Sequence, residues 1–229
     1  MNSFWKIIAL PLAQRTAQRL NTLQEELRAI AWANGEANLD SELSHLACRV
    51  CVEAWEDIKQ GFPEYEDLSL KATDPDITLE FSRGLVSVFK AKIELKSGKG
   101  FSIPGSTIGK LDINIPVICV RREAGGHFVI GYQQYHALIG ETEHDLFQDR
   151  TPRPHVNFTK MADPNVTLPY VDKEKGVWVN HFAECAVNRI NSPVYRDQSW
   201  QDDLTRKIIE EFIKRTSVDD FANRKAELS

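Results

Sequence analysis

The strongest constraint on the fold is an alternating hydrophobic pattern in the middle of the chain. Residues 77–81 (ITLEF) and 85–95 (LVSVFKAKIEL) alternate apolar with polar positions and are rich in β-branched and aromatic residues, as half-buried strands are. Between them, Ser82-Arg83-Gly84 is a turn signal. We therefore predict that the two segments form an antiparallel β-hairpin.

Further strand patterns follow, and helical patterns precede them. Residues 111–122 and 127–135 carry apolar runs separated by the turn signal EAGG, so four strands in residues 67–140 imply a single sheet. Residues 1–61 show apolar residues at helical spacing, in two helices expected to end near Gly35 and Gly61. Helices on both sides of a central sheet in the sequence predict an α/β (α+β) fold.

The last part of the chain, residues 141–229, completes a single predicted domain spanning 1–229. Residues 147–170 are rich in proline and charge, lack periodicity and predict a long loop, and long ordered loops are often functional. The pattern of 176–182 allows a strand. A closing amphipathic helix is predicted from four apolar residues at helical spacing: Trp200, Leu204, Ile208 and Phe212.

Composition limits the compartment and the class of partner. Four cysteines are too few and too scattered for the disulfide framework of a small secreted domain. The apolar N-terminal run is interrupted by Lys6 and Pro11, which argues against a signal peptide or a membrane span. We expect a cytoplasmic protein without a membrane partner. The net charge of −5 argues against indiscriminate coating of nucleic acid but allows a local basic groove.

The predicted hairpin brings charged residues from its open end together. Antiparallel pairing returns the start of the first strand beside the end of the second, so Asp74 or Asp76 lies near Glu94. Because side chains alternate along a strand, Glu94 and Lys96 project from the same face. If the strands pair symmetrically about Gly84, residue 74 lies opposite Glu94. A turn nearer Leu85 would instead place Asp76 opposite Glu94, and a β-bulge would reconcile the two pairings.

Two carboxylates and an ammonium group at one point suit metal-assisted hydrolysis of a phosphodiester. Magnesium prefers oxygen ligands, commonly takes one or two carboxylates, and leaves positions for water and a phosphate oxygen. A bound metal polarises the phosphate and lowers the pKa of water, while Lys96 can orient or deprotonate that nucleophile and stabilise developing charge. The alternative is a surface hairpin whose acidic and basic ends form a salt bridge.

With Pro75-Asp76, seventeen intervening residues and Glu94-Leu95-Lys96, the segment resembles the motif of the PD-(D/E)xK nuclease superfamily. The resemblance covers roughly residues 43–122 and implies a restriction-endonuclease-like core, a central mixed β-sheet flanked by helices. It also implies one or two Mg²⁺ ions per active site, held by Asp76, Glu94 and the main-chain carbonyl of Leu95. Asp76, Glu94 and Lys96 would be catalytic, and the motif selects Asp76 over Asp74.

The second predicted helix adds one candidate. Leu46, Val50 and Ala54 mark its buried stripe, and Glu53 lies three positions after Val50, near that stripe. Superfamily members often place a glutamate from a preceding helix close to the metal. The resemblance therefore makes Glu53 a fourth catalytic candidate, and a solvated or salt-bridged helix residue is the alternative.

The loop after Lys96 is rich in glycine, hydroxyl groups and lysine, which suits contacts with DNA phosphates. A solvated loop is the alternative. Arg121 and Arg122, at the end of a predicted strand, are further candidates. The predicted DNA-binding residues are Lys99, Ser102, Ser106, Thr107, Lys110 and, from the later loop, Arg153.

Size and architecture indicate a role within the superfamily. About 60 residues of helix before the core and the long loop after it resemble the additions of a type II restriction endonuclease, which supply dimerisation and sequence reading. The hypothesis is a Mg²⁺-dependent enzyme that cuts double-stranded DNA at a short specific sequence. A homodimer is expected, because cutting both DNA strands of a palindromic sequence requires two active sites related by a two-fold axis. The alternatives are a structure-specific or repair nuclease of the same fold, or a catalytically inactive DNA-binding subunit.

Overall fold

A computed structural model describes residues 3–30, 40–106, 112–139 and 154–174, and a few later positions (180–181, 183–185, 187–188, 206–207 and 210). Several predictions lie outside these residues: the helix end at Gly35, the DNA contacts of Thr107, Lys110 and Arg153, and the four apolar residues of the closing helix. At the position of the strand allowed over 176–182, Asn180 and His181 are helical, so that prediction is wrong there.

Among the residues described before the sheet there are three helices, where two were predicted. Their bounds are α1 Ser3–Thr22, α2 Gln24–Ala29 and α3 Asp40–Ile58. The first predicted helix is broken at Leu23, because Asn21 and Thr22 are poor helix formers and the Thr22 hydroxyl donates to the carbonyl of Arg19 at 2.7 Å. None of the helices in the described part of the chain is long and apolar enough to cross a membrane.

The described residues form a mixed sheet of five strands: β1 Ser69–Thr73, β2 Ile77–Arg83, β3 Val86–Gly98, β5 Pro116–Arg122 and β6 Phe128–Gln134. Their order in the sheet is β1-β2-β3-β5-β6. Only β3 and β5 are parallel; the other neighbours are antiparallel. The prediction of a central mixed sheet with helices is confirmed, and one of its strands, β1, had not been predicted.

A second, two-stranded sheet follows β3 and pairs distant segments. Its strands are β4 Ser102–Pro104 and β7 His155–Asn157. The segment predicted as a long loop thus contains β7 and a 3-10 turn at Phe158–Lys160 within the residues described. One helical turn, α4 Tyr135–Leu138, follows β6 directly.

The two faces of the five-stranded sheet are covered differently. The larger core lies between one face and the helices α1 and α3, and its largest buried side chains include Trp55 and Phe81. On the other face, Val117 and Cys119 of β5 pack with Tyr135, Val156 and Phe158 from α4, β7 and the 3-10 turn. That second cluster covers only β5 and its surroundings. Where it ends, β1, β2 and the first half of β3 present exposed residues, among them Lys71, Thr78 and Lys90.

Candidate active site

The register of the β2–β3 hairpin decides which aspartate faces Glu94. The turn lies at Gly84-Leu85, with Arg83 paired to Val86 and Gly84 at φ +60°. Phe81 pairs with Phe89 whereas Ser82 pairs with Ser87, so Val88 is an extra residue in β3, a β-bulge. The last pair is Ile77 with Ile93, which places Asp76 beside Glu94 immediately beyond it.

Asp74 lies elsewhere, with its carboxylate 3.4 Å from the Nε2 atom of His45 on α3. The structure thus brings Asp76 to Glu94 and leaves Asp74 on the helix side. Two features produce this register, and both were considered as alternatives from the sequence: a turn near Leu85 and a β-bulge.

Asp76 is held by contacts from two elements. Its φ is +57°, in the left-handed region that aspartate tolerates better than most residues. Its carbonyl oxygen lies 3.5 Å from the Cys48 thiol of α3, and its Oδ1 atom accepts a hydrogen bond from the Leu95 amide at 3.2 Å. The side chain is 23% exposed, so its other oxygen, Oδ2, can reach a ligand.

Glu94 is buried and ionised. Only 8% of its side chain is exposed. Burial alone would raise the pKa of its carboxyl, but the nearby charge of Lys96 and hydrogen bonds from Lys92, Lys96 and Ser106 lower the pKa to about 2. The Nζ of Lys96 lies 2.7 Å from Oε1, and the hydroxyl of Ser106 donates to the same oxygen at 2.7 Å.

Lys92, which is not among the site residues predicted from the sequence, also belongs to the cluster. Its Nζ lies 2.6 Å from Asp76 Oδ2 and 2.8 Å from Glu94 Oε2, so one ammonium group bridges the two carboxylates. Burial would lower the pKa of Lys92, yet the two hydrogen-bonded carboxylates raise it above its ordinary value. The signal was present in the sequence: Lys92, Glu94 and Lys96 alternate along one strand and therefore share one face.

The donor set fits a magnesium ion. Among the described residues no group of three or more His, Cys, Asp or Glu side chains gathers, but magnesium needs only one or two carboxylates when waters and phosphate complete its octahedron. Asp76 Oδ2 and Glu94 Oε2 already converge on one cation, the Lys92 ammonium. The Leu95 side chain lies in the helix-side core, and a role for its carbonyl remains a prediction.

Lys96 and Ser106 are fixed from the covered side of the sheet. Lys96 pairs in the ladder with Cys119, whose thiol pKa is raised by complete burial, and the lysine side chain is 18% exposed. The Ser106 amide donates to the Tyr135 hydroxyl at 2.6 Å. The preceding Gly105 has no room for a Cβ atom, which would overlap that hydroxyl and the carbonyl oxygen of Pro154. Close packing therefore directs Ser106 at Glu94.

The structure does not bring Glu53 to this cluster. Its two carboxylate oxygens are bound to Arg19 at 2.8 Å and Arg49 at 3.1 Å. Cys48, which contacts Asp76, lies five residues earlier on α3, and at about 100° per residue the two side chains project about 140° apart around the helix axis. Glu53 therefore lies on the side of α3 that faces α1, in agreement with the salt-bridged alternative.

The predicted DNA contacts are dispersed. Ser102 lies in β4 with its hydroxyl 3.2 Å from Nδ1 of His155, and Ser106 binds Glu94. Arg121 lies over the ring of Phe101 at 4.4 Å. Lys99 lines a groove of about 640 Å³ at the ends of β3 and β5, together with the cationic Arg28 and Arg122 and the acidic Glu123.

Comparisons of the chain with protein-family models, with curated proteins and with solved structures found no match. A functional proposal therefore rests on the chemistry of the side chains around Asp76 and Glu94.

Proposed function

We propose that this protein is a Mg²⁺-dependent endonuclease that hydrolyses phosphodiester bonds of double-stranded DNA, with Asp76, Glu94 and Lys96 as its catalytic residues. The observation that carries the proposal is the buried carboxylate of Glu94, which faces Asp76 across the hairpin and has the Lys96 ammonium 2.7 Å away. A salt-bridged hairpin end on the surface would not require a carboxylate this buried.

Each side chain has a distinct task. Asp76 and Glu94 would hold the ion through the carboxylate oxygens that now contact Lys92, and the Leu95 carbonyl would supply a third oxygen. When bound, Mg²⁺ would polarise the phosphate and lower the pKa of a coordinated water. Lys96, held on Glu94 Oε1, orients the attacking water and stabilises the negative charge that develops on the phosphate. Ser106 keeps the Glu94 carboxylate in a fixed orientation.

Two features support a nucleic-acid substrate. The cluster lies at the border of the open half of the sheet, where Thr78 and Lys90 are exposed and a large substrate has access. The groove lined by Arg28, Lys99 and Arg122 offers three cationic side chains for backbone phosphates against one acidic side chain, Glu123. We therefore retain Lys99 as a proposed DNA contact.

The order of elements supports membership of the PD-(D/E)xK superfamily. An aspartate precedes β2, a Glu-x-Lys lies in β3, and β5 is parallel to β3. We propose a restriction-endonuclease-like core and, because of the additional helices and the segment after β6, a type II restriction enzyme. Cytoplasmic location and a homodimer with two active sites belong to the same proposal.

Digestion of plasmid DNA tests the proposal. The purified protein is incubated with several plasmids in Mg²⁺ or in chelator, and the products are separated by size. Discrete fragments that require Mg²⁺ are the expected result. A smear, or cuts confined to branched DNA, would favour a structure-specific or repair nuclease. Binding without cleavage in Mg²⁺ or Mn²⁺ would contradict catalysis, and equal cleavage in chelator would contradict the role of the metal.

A further inference from the structure

We propose that Lys92 occupies the cation position between Asp76 and Glu94 in the metal-free protein, so that Mg²⁺ binds only when this ammonium group moves out. Lys92 would thereby set the metal affinity of the site. The inference rests on the proposed function, because it takes the two carboxylates as the metal ligands. It adds a positioning residue that the Asp-Glu-x-Lys pattern does not contain.

The hydrogen bonds of the two carboxylates divide in a way that leaves one place for a cation. Asp76 Oδ1 accepts from the Leu95 amide, and Glu94 Oε1 accepts from Lys96 and Ser106. One oxygen of each carboxylate is thus committed to the protein itself. The two remaining oxygens, Oδ2 and Oε2, both contact the Lys92 ammonium. A divalent ion that uses these oxygens competes directly with Lys92.

The surroundings of Lys92 allow it to leave. Its side chain is 41% exposed, against 18% for Lys96. It pairs across the strands with the exposed Thr78, on the half of the sheet that the second hydrophobic cluster does not cover. Lys96 instead has buried Cys119 as its ladder partner. The two lysines therefore differ in exposure: Lys96 is enclosed beside Glu94, whereas Lys92 has open space through which it can turn towards solvent or a bound phosphate.

Formal charge indicates in which direction the metal affinity changes when the charge of Lys92 is removed. Asp76, Glu94, Lys92 and Lys96 together are neutral, so the metal-free cluster attracts a cation weakly. With Lys92 replaced by an uncharged residue, the cluster carries one net negative charge and two carboxylates without a bridging cation. Metal affinity should then rise by about tenfold or more, given the strength of charge interactions at these distances.

Metal titration of the full chain tests this inference. Mg²⁺ and Mn²⁺ are titrated calorimetrically into chelator-treated wild type, Lys92→Met, Lys92→Arg, Lys90→Met and Asp76→Asn, and the melting temperature is recorded with and without metal. Lys90→Met is the matched control, since Lys90 lies two residues earlier on the same strand face and pairs with Glu80 at 3.6 Å.

The expected result is at least about tenfold tighter binding by Lys92→Met, with a larger rise in melting temperature on metal addition. Lys90→Met and Lys92→Arg should stay near wild type. Should Lys92→Met fail to fold in chelator, Lys92→Gln keeps hydrogen-bond donors without the charge and tests the same effect.

Two other outcomes are distinguishable. Equal affinity in wild type and Lys92→Met, with binding lost in Asp76→Asn, would overturn the role of Lys92 and leave the proposed metal site intact. Absence of metal binding in all proteins, or binding that Asp76→Asn does not weaken, would overturn both.

Discussion

Replacement of Glu94 by glutamine should reveal how strongly the cluster stabilises its buried charge. The carboxylate accepts hydrogen bonds from Lys92, Lys96 and Ser106 in a site where little of the side chain meets water. Glutamine keeps the shape but removes the charge, and it turns an N–H group towards one of the two ammonium groups. The substitution therefore leaves two partly buried cations with one carboxylate.

The size of the effect follows from the pKa. The pKa of Glu94 falls from its ordinary value of 4.5 to about 2 in the folded protein. At about 1.4 kcal/mol per pKa unit, the ionised form contributes about 3 kcal/mol to the free energy of unfolding at neutral pH. Because the folded pKa is the lower one, this stability is present above pH 4.5 and is lost as the pH falls towards 2.

Urea unfolding in chelator, followed by tryptophan fluorescence, measures the difference between wild type and Glu94→Gln. The gap should be about 3 kcal/mol at pH 7 and should close as the pH approaches 2. Glu80→Gln is the control, because Glu80 lies on the same sheet face with its partner Lys90 well exposed, and it should change stability little. A gap that is absent at pH 7, or that stays constant with pH, would refute the reasoning.

Two further predictions concern the scaffold around the site. Asp57→Asn should lower the free energy of unfolding at pH 7 by about 1 kcal/mol, because a hydrogen bond from Arg19 helps to lower the pKa of Asp57 to about 2. Thermal denaturation measures the difference, and no change would mean that solvent screens the pair. Gly105→Ala should destabilise the protein and weaken metal binding, because the new Cβ would overlap the Tyr135 hydroxyl, whereas Gly61→Ala has open space and should do neither.

The hairpin shows how far the sequence could predict the site. Alternating apolar residues predicted β2 and β3 and placed acids at their open end. The choice between Asp74 and Asp76 depended on a bulge at Val88, which hydrophobic alternation cannot reveal because Val86 and Val88 are both apolar and both exposed.

Other features were missed for physical reasons. The strand β1 has the sequence SLKAT, in which Leu70 is the one large apolar residue, too weak a pattern for a strand. Glu53 lies next to the buried stripe of α3, but the position of this stripe does not predict which element packs against its edge. In the structure that element is α1, whose Arg19 forms an ion pair with Glu53. Contacts of this kind depend on the packing of distant segments.

The rate of DNA cleavage by Lys96→Met tests the central claim most directly. Lys96 is proposed to act on the nucleophile, whereas Lys90, on the same strand face, has no such role, so Lys90→Met serves as the matched control. Single-turnover cleavage of plasmid DNA in saturating Mg²⁺ should fall by about 100-fold or more in Lys96→Met and remain near the wild-type rate in Lys90→Met. Equal rates in wild type and Lys96→Met would contradict the account.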